Sequence, residues 1–360
     1  MRKDQMNGKT YIPFALFLLV IILAAVLTSP TFADTYSYSL TDLGTLPGGI
    51  FSDATGINRN GQIVGNSIDA TTWQQHAFIY SNGVMTDLGT FPGGSYSHAA
   101  AINSFGQVVG WGDLPSTEQH QFQPSMQTHA FLYTDGVMKD LGSLPGTDNT
   151  QFDFQNGNFS AAYAINDAAV IVGSSRNQVM IYYNGIMRGM SAKGMLWASG
   201  INNLQQIIGQ LQVNGGQVLA YHPFLLSNGV IQDLGALDNT NFSYPMGIND
   251  AGVVVGGSQT ASGRMRGFVY ANGVMKNIGT IEGQVGSIAS AINNKGVVVG
   301  NCDEFPFIYK DGVMTDLRSV IAPVTFQLYS ATGINDAGQI VGYGYTYNGQ
   351  QHAFLLTPIS

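Results

Sequence analysis

The tripeptide Gly/Ala-Ile-Asn recurs through the chain, ending at Asn58, Asn103, Asn166, Asn202, Asn249, Asn293 and Asn335, each time ahead of a valine- or isoleucine-rich run. A repeat of about 47 residues confines the fold to copies of one small unit, stacked or arranged around an axis. A second marker locates a hairpin in each unit, as in HAFIY-S-NG-VMTDLG from His76 to Gly89 and HAFLY-T-DG-VMKDLG from His129 to Gly142. Its turn dipeptides are Asn82-Gly83, Asp135-Gly136, Asn184-Gly185, Asn228-Gly229, Asn272-Gly273 and Asp311-Gly312. Asn-Gly and Asp-Gly accept positive φ at both central positions of a type I′ turn, so each ties two antiparallel strands together.

Seven units call for seven such turns, and the missing one falls at the chain ends. Tyr36 to Leu43 reads as an after-turn strand with nothing before it, and His352 to Leu356 as a before-turn strand with nothing after it. The two half-hairpins complete each other. The predicted fold is therefore all-β: a seven-bladed β-propeller of four-stranded antiparallel blades, closed by pairing of the N-terminal strand with the C-terminal strand. The first blade comprises Phe51–Asn58, Gln62–Ser67, His76–Tyr80 and Val84–Leu88. Two and four residues before each Asn the side chain is Gly or Ala, with Pro245 the exception. Read as strand alternation, that puts a face of tiny side chains beside the central axis. An open solenoid is the alternative, but it needs polar end caps, and the terminal units here look like interrupted internal ones.

Residues 1–33 differ from the rest: Arg2, Lys3 and Lys9 precede an apolar run from Ile12 to Leu27, followed by Ser29-Pro30-Thr31-Phe32-Ala33. This pattern predicts a signal peptide cleaved after Ala33, with a retained anchor as the alternative, and a propeller domain over residues 34–360 that is secreted, extracellular or periplasmic. No membrane span is expected after cleavage. The chain has 14 Lys and Arg against 22 Asp and Glu. The leader takes three of the bases and one acid, leaving a net charge of about −10, which argues against nucleic-acid binding. With Cys302 as the single cysteine, the domain folds without an internal disulfide, and the thiol reads as incidental. A monomer is expected.

The signature DLGTLPGG…GIN..GQIVG…HAF.Y..GVM.DLG stands almost complete from Asp42 to Gly89, and related text extends over residues 40 to 356. In this the chain resembles the HAF-type extracellular repeat proteins. The resemblance implies export, mainly in bacteria, and a repeat fold; the family's biochemical role is unknown, so it transfers no catalytic residue. Some members carry a C-terminal sorting segment, which Leu356 to Ser360 does not show. Gln178, Arg266 and Phe305 replace the histidine of HAF in three units.

Metal and carboxylate chemistry both fit the pattern poorly. The HAF histidines sit on different blades, about 10 Å apart, while zinc ligands lie about 2 Å from one ion. The repeated Asp42, Asp87, Asp140, Asp233 and Asp316 diverge on outer strands, whereas glycosidase carboxyls lie within about 5–10 Å of each other. Asn-x-x-Gly segments read as type I turns, since none brings the acidic ligand set that calcium takes. No cofactor or metal is expected.

Strands that run up and down put the tight turns at one end of each blade and every long connection at the other. Long loops on a rigid scaffold are where binding groups concentrate. The candidate ligand-binding residues are Trp73, Trp111, Glu118, His120, Phe122, Phe152, Asp153 and Phe154, aromatic rings among amides and carboxylates that suit a glycan or a protein loop. The expected function is a secreted non-enzymatic binding module. An extracellular propeller hydrolase or lyase acting on polysaccharide is the alternative, using loop groups such as Asp113, Glu118, His120 and Asp153.

Overall fold

A computed structural model describes residues 38–115, 127–145, 159–192, 194–215, 218–322 and 324–359, so the predicted leader lies outside the described residues. Among them are 28 strands. Five sheets have four antiparallel strands each, beginning with Ser97–Ile102, Ser160–Ile165, Met195–Ile201, Ser243–Ile248 and Ile288–Ile292. The other eight strands form one connected set. In it, Phe326–Ile334, Ile340–Thr346 and Gln351–Pro358 adjoin Gly49–Ile57, Ile63–Asp69, Gln75–Ser81 and Val84–Asp87 through one parallel pair, Phe51 with Gln351. Tyr38–Gly44 joins the set antiparallel to Gln351–Pro358, in register from Tyr38 opposite Pro358 to Asp42 opposite Phe354. The four strands expected after residue 50 are thus present, with ends that differ from the expected ones by at most two residues.

Why the HAF phenylalanine and the GQIVG glycine recur together is visible in the core. Phe78, Phe131, Phe224, Phe268, Phe307 and Phe354 are fully buried, with Met180 in the corresponding place. Each lies opposite a second-strand glycine, as Gly65 lies opposite Phe78. A Cβ at Gly65 would fall 2.0 Å from the Asp53 carbonyl oxygen and 2.7 Å from the Phe78 ring, so no larger residue fits.

The expected face of small side chains is not one face. In all seven first strands the register slips between the two small positions, as between Ala54 and Gly56. Ala54 pairs with Gly65 and Gly56 with Val64, so the bulged residue Thr55 turns the pair to opposite sides. Ala54 packs with Leu43, Val341 and Ala353, while a Cβ on Gly56 would approach the Ala100 and Ala101 backbone of the next sheet. Both sides of the inner strand are crowded. The Thr55 hydroxyl is released to donate to the Ala99 carbonyl across the junction at 2.8 Å.

The repeated asparagines close the innermost turns and join the sheets. Each Oδ1 accepts backbone N–H groups of its own turn, as Asn58 does from Asn60 and Gln62. Each Nδ2 donates to the main-chain oxygen of the next: Asn58 to Asn103, then Asn166, Asn202, Asn249, Asn293 and Asn335, at 2.9–3.1 Å. Asn335 donates to the Asn58 oxygen at 3.1 Å, so the last bond reaches the first residue.

Candidate functional site

The histidines and aspartates weighed separately from the sequence turn out to be partners. His76 with Asp87, His129 with Asp140, His222 with Asp233 and His352 with Asp42 lie 2.8–3.0 Å apart, between the third strand and its outer neighbour. The aspartate also accepts the backbone N–H two residues on, as Asp87 does from Gly89. Burial acts to raise Asp140 and Asp233, but the histidine and this N–H outweigh it and hold both below the usual carboxylate range. In the unit with Phe305, Asp316 instead receives Arg318, whose guanidinium stacks over the Phe305 ring at 3.7 Å. These are repeated staples at separate places. Their constant offset of eleven residues in the unbroken units was the signal in the sequence.

Cys302 is fully buried, and its thiol is pushed up, by burial first. It accepts the Ile281 N–H at 3.4 Å, as Ser67, Ser175 and Ser258 accept the N–H of Leu46, Leu144 and Leu237 in other units. Cys302→Ser is therefore expected to shift stability by less than about 1.5 kcal/mol, checked by denaturant unfolding.

At the tight-turn end, the asparagine ring opens into a cavity of about 320 Å³ bordered by Asp167, Asp250 and Asp336, with Asn203 and Asn294 between them. These carboxylates accept backbone N–H groups of neighbouring turns, as Asp250 does from Asn203 and Asp336 from Asn294. Among the described residues no three His, Cys, Asp or Glu side chains are grouped so as to hold a metal.

The loop-side ends of the first and second strands carry aromatic rings. Trp111 stacks on His98 at 4.0 Å and meets Tyr163 of the next sheet edge-on at 5.7 Å. Tyr329 stacks on Tyr343 and abuts Tyr345, and Phe242 lies between Tyr221 and Tyr244. Trp197 and Phe242 are each 39% exposed. Of the residues singled out from the sequence, Trp111 belongs to this set, and Trp73 stands 73% exposed on a turn with φ of 57°. Glu118, His120, Phe122, Phe152, Asp153 and Phe154 lie outside the described residues.

Asp53 and Asn66, a cross-strand pair in this region, were missed. Burial pushes Asp53 up to about 6, with the Asn66 side chain and a backbone N–H opposing it. Burial raises Tyr96 and Tyr343, and the Asp53 charge adds to both. Burial also takes His98 down to about 4. The folded-state value of Asp53 exceeds its unfolded one, so its ionisation opposes folding: the penalty is absent below about 4 and complete above about 6. Asp53→Asn should therefore stabilise the domain at pH 8 by about 2–3 kcal/mol, and the gain should vanish at pH 4 in denaturant unfolding.

No protein-family model matches the chain, and no curated protein matches it. Among solved structures, it resembles the β-propeller domain of the trilobed protease from Pyrococcus furiosus, which has an open velcro topology, at 10% identity and a TM-score of 0.50 over 86% of this chain and 94% of that one. The polysaccharide lyase Uly1 gives 10% identity and 0.47 over 94% and 95%. The gluconolactonase XC5397 from Xanthomonas campestris gives 10% identity and 0.41 over 89% and 90%. The first likeness, taken with the all-β sheets, is one of fold alone: the chain has a β-propeller fold.

Proposed function

We propose that this chain is an exported HAF-type repeat protein whose seven-bladed, closed propeller binds a glycan or protein ligand on its loop-side face without turning it over. Closure is supported by the asparagine bonds that return from Asn335 to Asn58 and by Tyr38–Gly44 occupying the outer place beside Gln351–Pro358. Dividing the eight-stranded set at its single parallel pair leaves two blades of four, like the other five.

The observation that carries the binding reading is the half-exposed aromatic set around Trp111, Tyr163, Trp197 and Phe242. Partly exposed rings held by a rigid sheet offer stacking area at little entropic cost. Oligosaccharide and protein arrays probed with the full chain, then with Trp111→Ala and Tyr163→Ala, test this. Binding weakened at least tenfold by these changes supports the face, whereas unchanged binding in both removes it. Export is tested by expression with the native leader; a mature chain starting at Asp34 is expected.

A polysaccharide hydrolase or lyase is the second reading, favoured by the raised Asp53 carboxyl, since displaced values concentrate at reacting groups. Release of reducing ends, abolished by Asp53→Asn, would select it.

A further inference from the structure

A cavity of about 260 Å³ opens in the first unit, between the connection that carries Leu46 and Pro47 and the turn that follows Asp69. The His76 and Asp87 staple forms part of its wall. Pockets for drug-sized molecules begin at roughly 300 Å³, so an occupant here has the size of one sugar ring or one side chain.

The staple histidine differs at this place from its copies. The His76 side chain is 30% exposed, against 13%, 17% and 15% for His129, His222 and His352. In His129 and His222 the Nε2 atom is buried, whereas His76 faces the cavity. A carboxylate can only accept, so Asp87 at 2.8 Å places the proton on His76 Nδ1, and the neutral ring presents Nε2 as an acceptor.

Asp69 supplies a second acceptor. The Thr71 and Thr72 N–H groups and the Thr72 hydroxyl all donate to its Oδ1, at 2.8–3.0 Å, which leaves the lone pairs of Oδ2 for a ligand. These bonds, the Thr72 N–H first, hold the carboxyl below the usual carboxylate range, and nearby His76 acts in the same direction. The Ser67 hydroxyl on the same wall accepts the Leu46 N–H. No lysine or arginine lines the cavity among the described residues. Its walls therefore accept more hydrogen bonds than they donate.

The turn above the cavity is built to hold an indole. Trp73 stands between the lining residues Thr72 and Gln74, 73% exposed, in the left-handed region at φ 57°. A bulky residue adopts that conformation only where its surroundings impose it. Here the Trp73 N–H donates to the Asp69 carbonyl and the Ala70 N–H to the Gly48 carbonyl, both at 3.0 Å.

We propose that this cavity binds a primary ammonium group, carried by an amino sugar or a lysine side chain, which donates to Asp69 Oδ2 and His76 Nε2. An ammonium brings three donors and no acceptor, as such walls require. An anion would be repelled, and a neutral hydroxyl would make weaker bonds to the carboxylate. Leu46 and Pro47 offer apolar surface to the stem, and an indole is the ring best suited to a neighbouring cation. This site goes beyond the aromatic face around Trp111 and does not depend on it.

The test is titration of the full chain, followed by NMR, with glucosamine and with Nα-acetyl-lysine amide. At least one is expected to bind, and the preferred one tells an amino sugar from a lysine side chain. Acetylating the amine, as in N-acetylglucosamine and Nα,Nε-diacetyl-lysine amide, should weaken binding at least tenfold. Asp69→Asn keeps the Oδ1 acceptor of the turn, so it should leave the thermal midpoint within about 2 °C while weakening binding at least tenfold. His76→Ala should weaken it as much. His129→Ala removes the equivalent staple, so it should lower the midpoint as His76→Ala does yet leave binding within twofold.

Neither amine binding with a Kd below about 5 mM, or an acetylated form binding as tightly as its amine, would overturn the proposal. So would amine binding that survives both Asp69→Asn and His76→Ala. If that binding were lost instead with Trp111→Ala, the amine would belong to the aromatic face, and the reading of that face would stand without the cavity.

Discussion

Deletion of residues 38–44 should lower the thermal midpoint by about 10 °C or more, although these residues lie more than 300 positions from the strand they pair with. Three losses add. Tyr38 and Leu43, both buried, return to water at about 1.5–3 kcal/mol each. The Asp42 carboxylate leaves His352, half-buried at 2.9 Å. The outer edge of Gln351–Pro358 loses its partner strand along the whole register from Tyr38 to Gly44, and an unpaired apolar edge invites association with a second chain. The truncated protein is therefore expected to be both less stable and prone to self-association by light scattering. A synthetic peptide spanning residues 36–46, added in excess, should recover part of the midpoint. A midpoint within about 2 °C of the full chain, with no added scattering, would show that the pairing contributes little.

The architecture was legible where it repeats, because a structural need imposed seven times leaves a pattern that chance does not. The Asn-Gly turns and the pairing of the two half-hairpins followed from that. The bulge was not legible: Ala54-Thr55-Gly56 reads as plain alternation, and only the partner register shows that Thr55 is an extra residue. The asparagines stood out as turn residues, but their Nδ2 partners lie 36 to 63 positions away along the chain, and 277 for the last. No local pattern predicts such a bond.

The candidate site was hidden for the opposite reason. Attention to repeats discounts whatever occurs once, and Asp53 occupies a position filled elsewhere by His98, Ala161, Trp197, Tyr244, Ile288 or Ser330. A carboxylate at one first-strand position out of seven is invisible to a search for consensus, yet it is the departure from consensus that marks it. Sequence reasoning looked to the longest loops because variability concentrates there. Trp111, the one of its two described tryptophans held against other rings, lies on a strand.

The largest single-residue effect is expected at the inner ring, and comparing two substitutions separates its causes. Asn335→Ala removes a donor to the Asn58 oxygen and an acceptor for the Ala337 and Gln339 N–H groups. With buried groups left unpaired at about 1–3 kcal/mol each, the cost should be about 3–5 kcal/mol. Asn335→Asp keeps the acceptor, but it turns a carboxylate oxygen toward the Asn58 carbonyl and the Gln339 Oε1, which now receive Nδ2 at 3.1 and 2.8 Å. Repulsion and burial would then raise the new carboxyl above its unfolded value, so its destabilisation grows as pH rises through that value and is relieved as pH falls. Near pH 4 the protonated acid can donate again, and the Asp variant should be more stable than the Ala variant. At pH 7.5 the order should reverse. Denaturant unfolding at the two pH values measures both. An Asp variant as stable as the parent at pH 7.5 would mean that the Nδ2 bonds, and the ring they complete, do not hold the inner strands together.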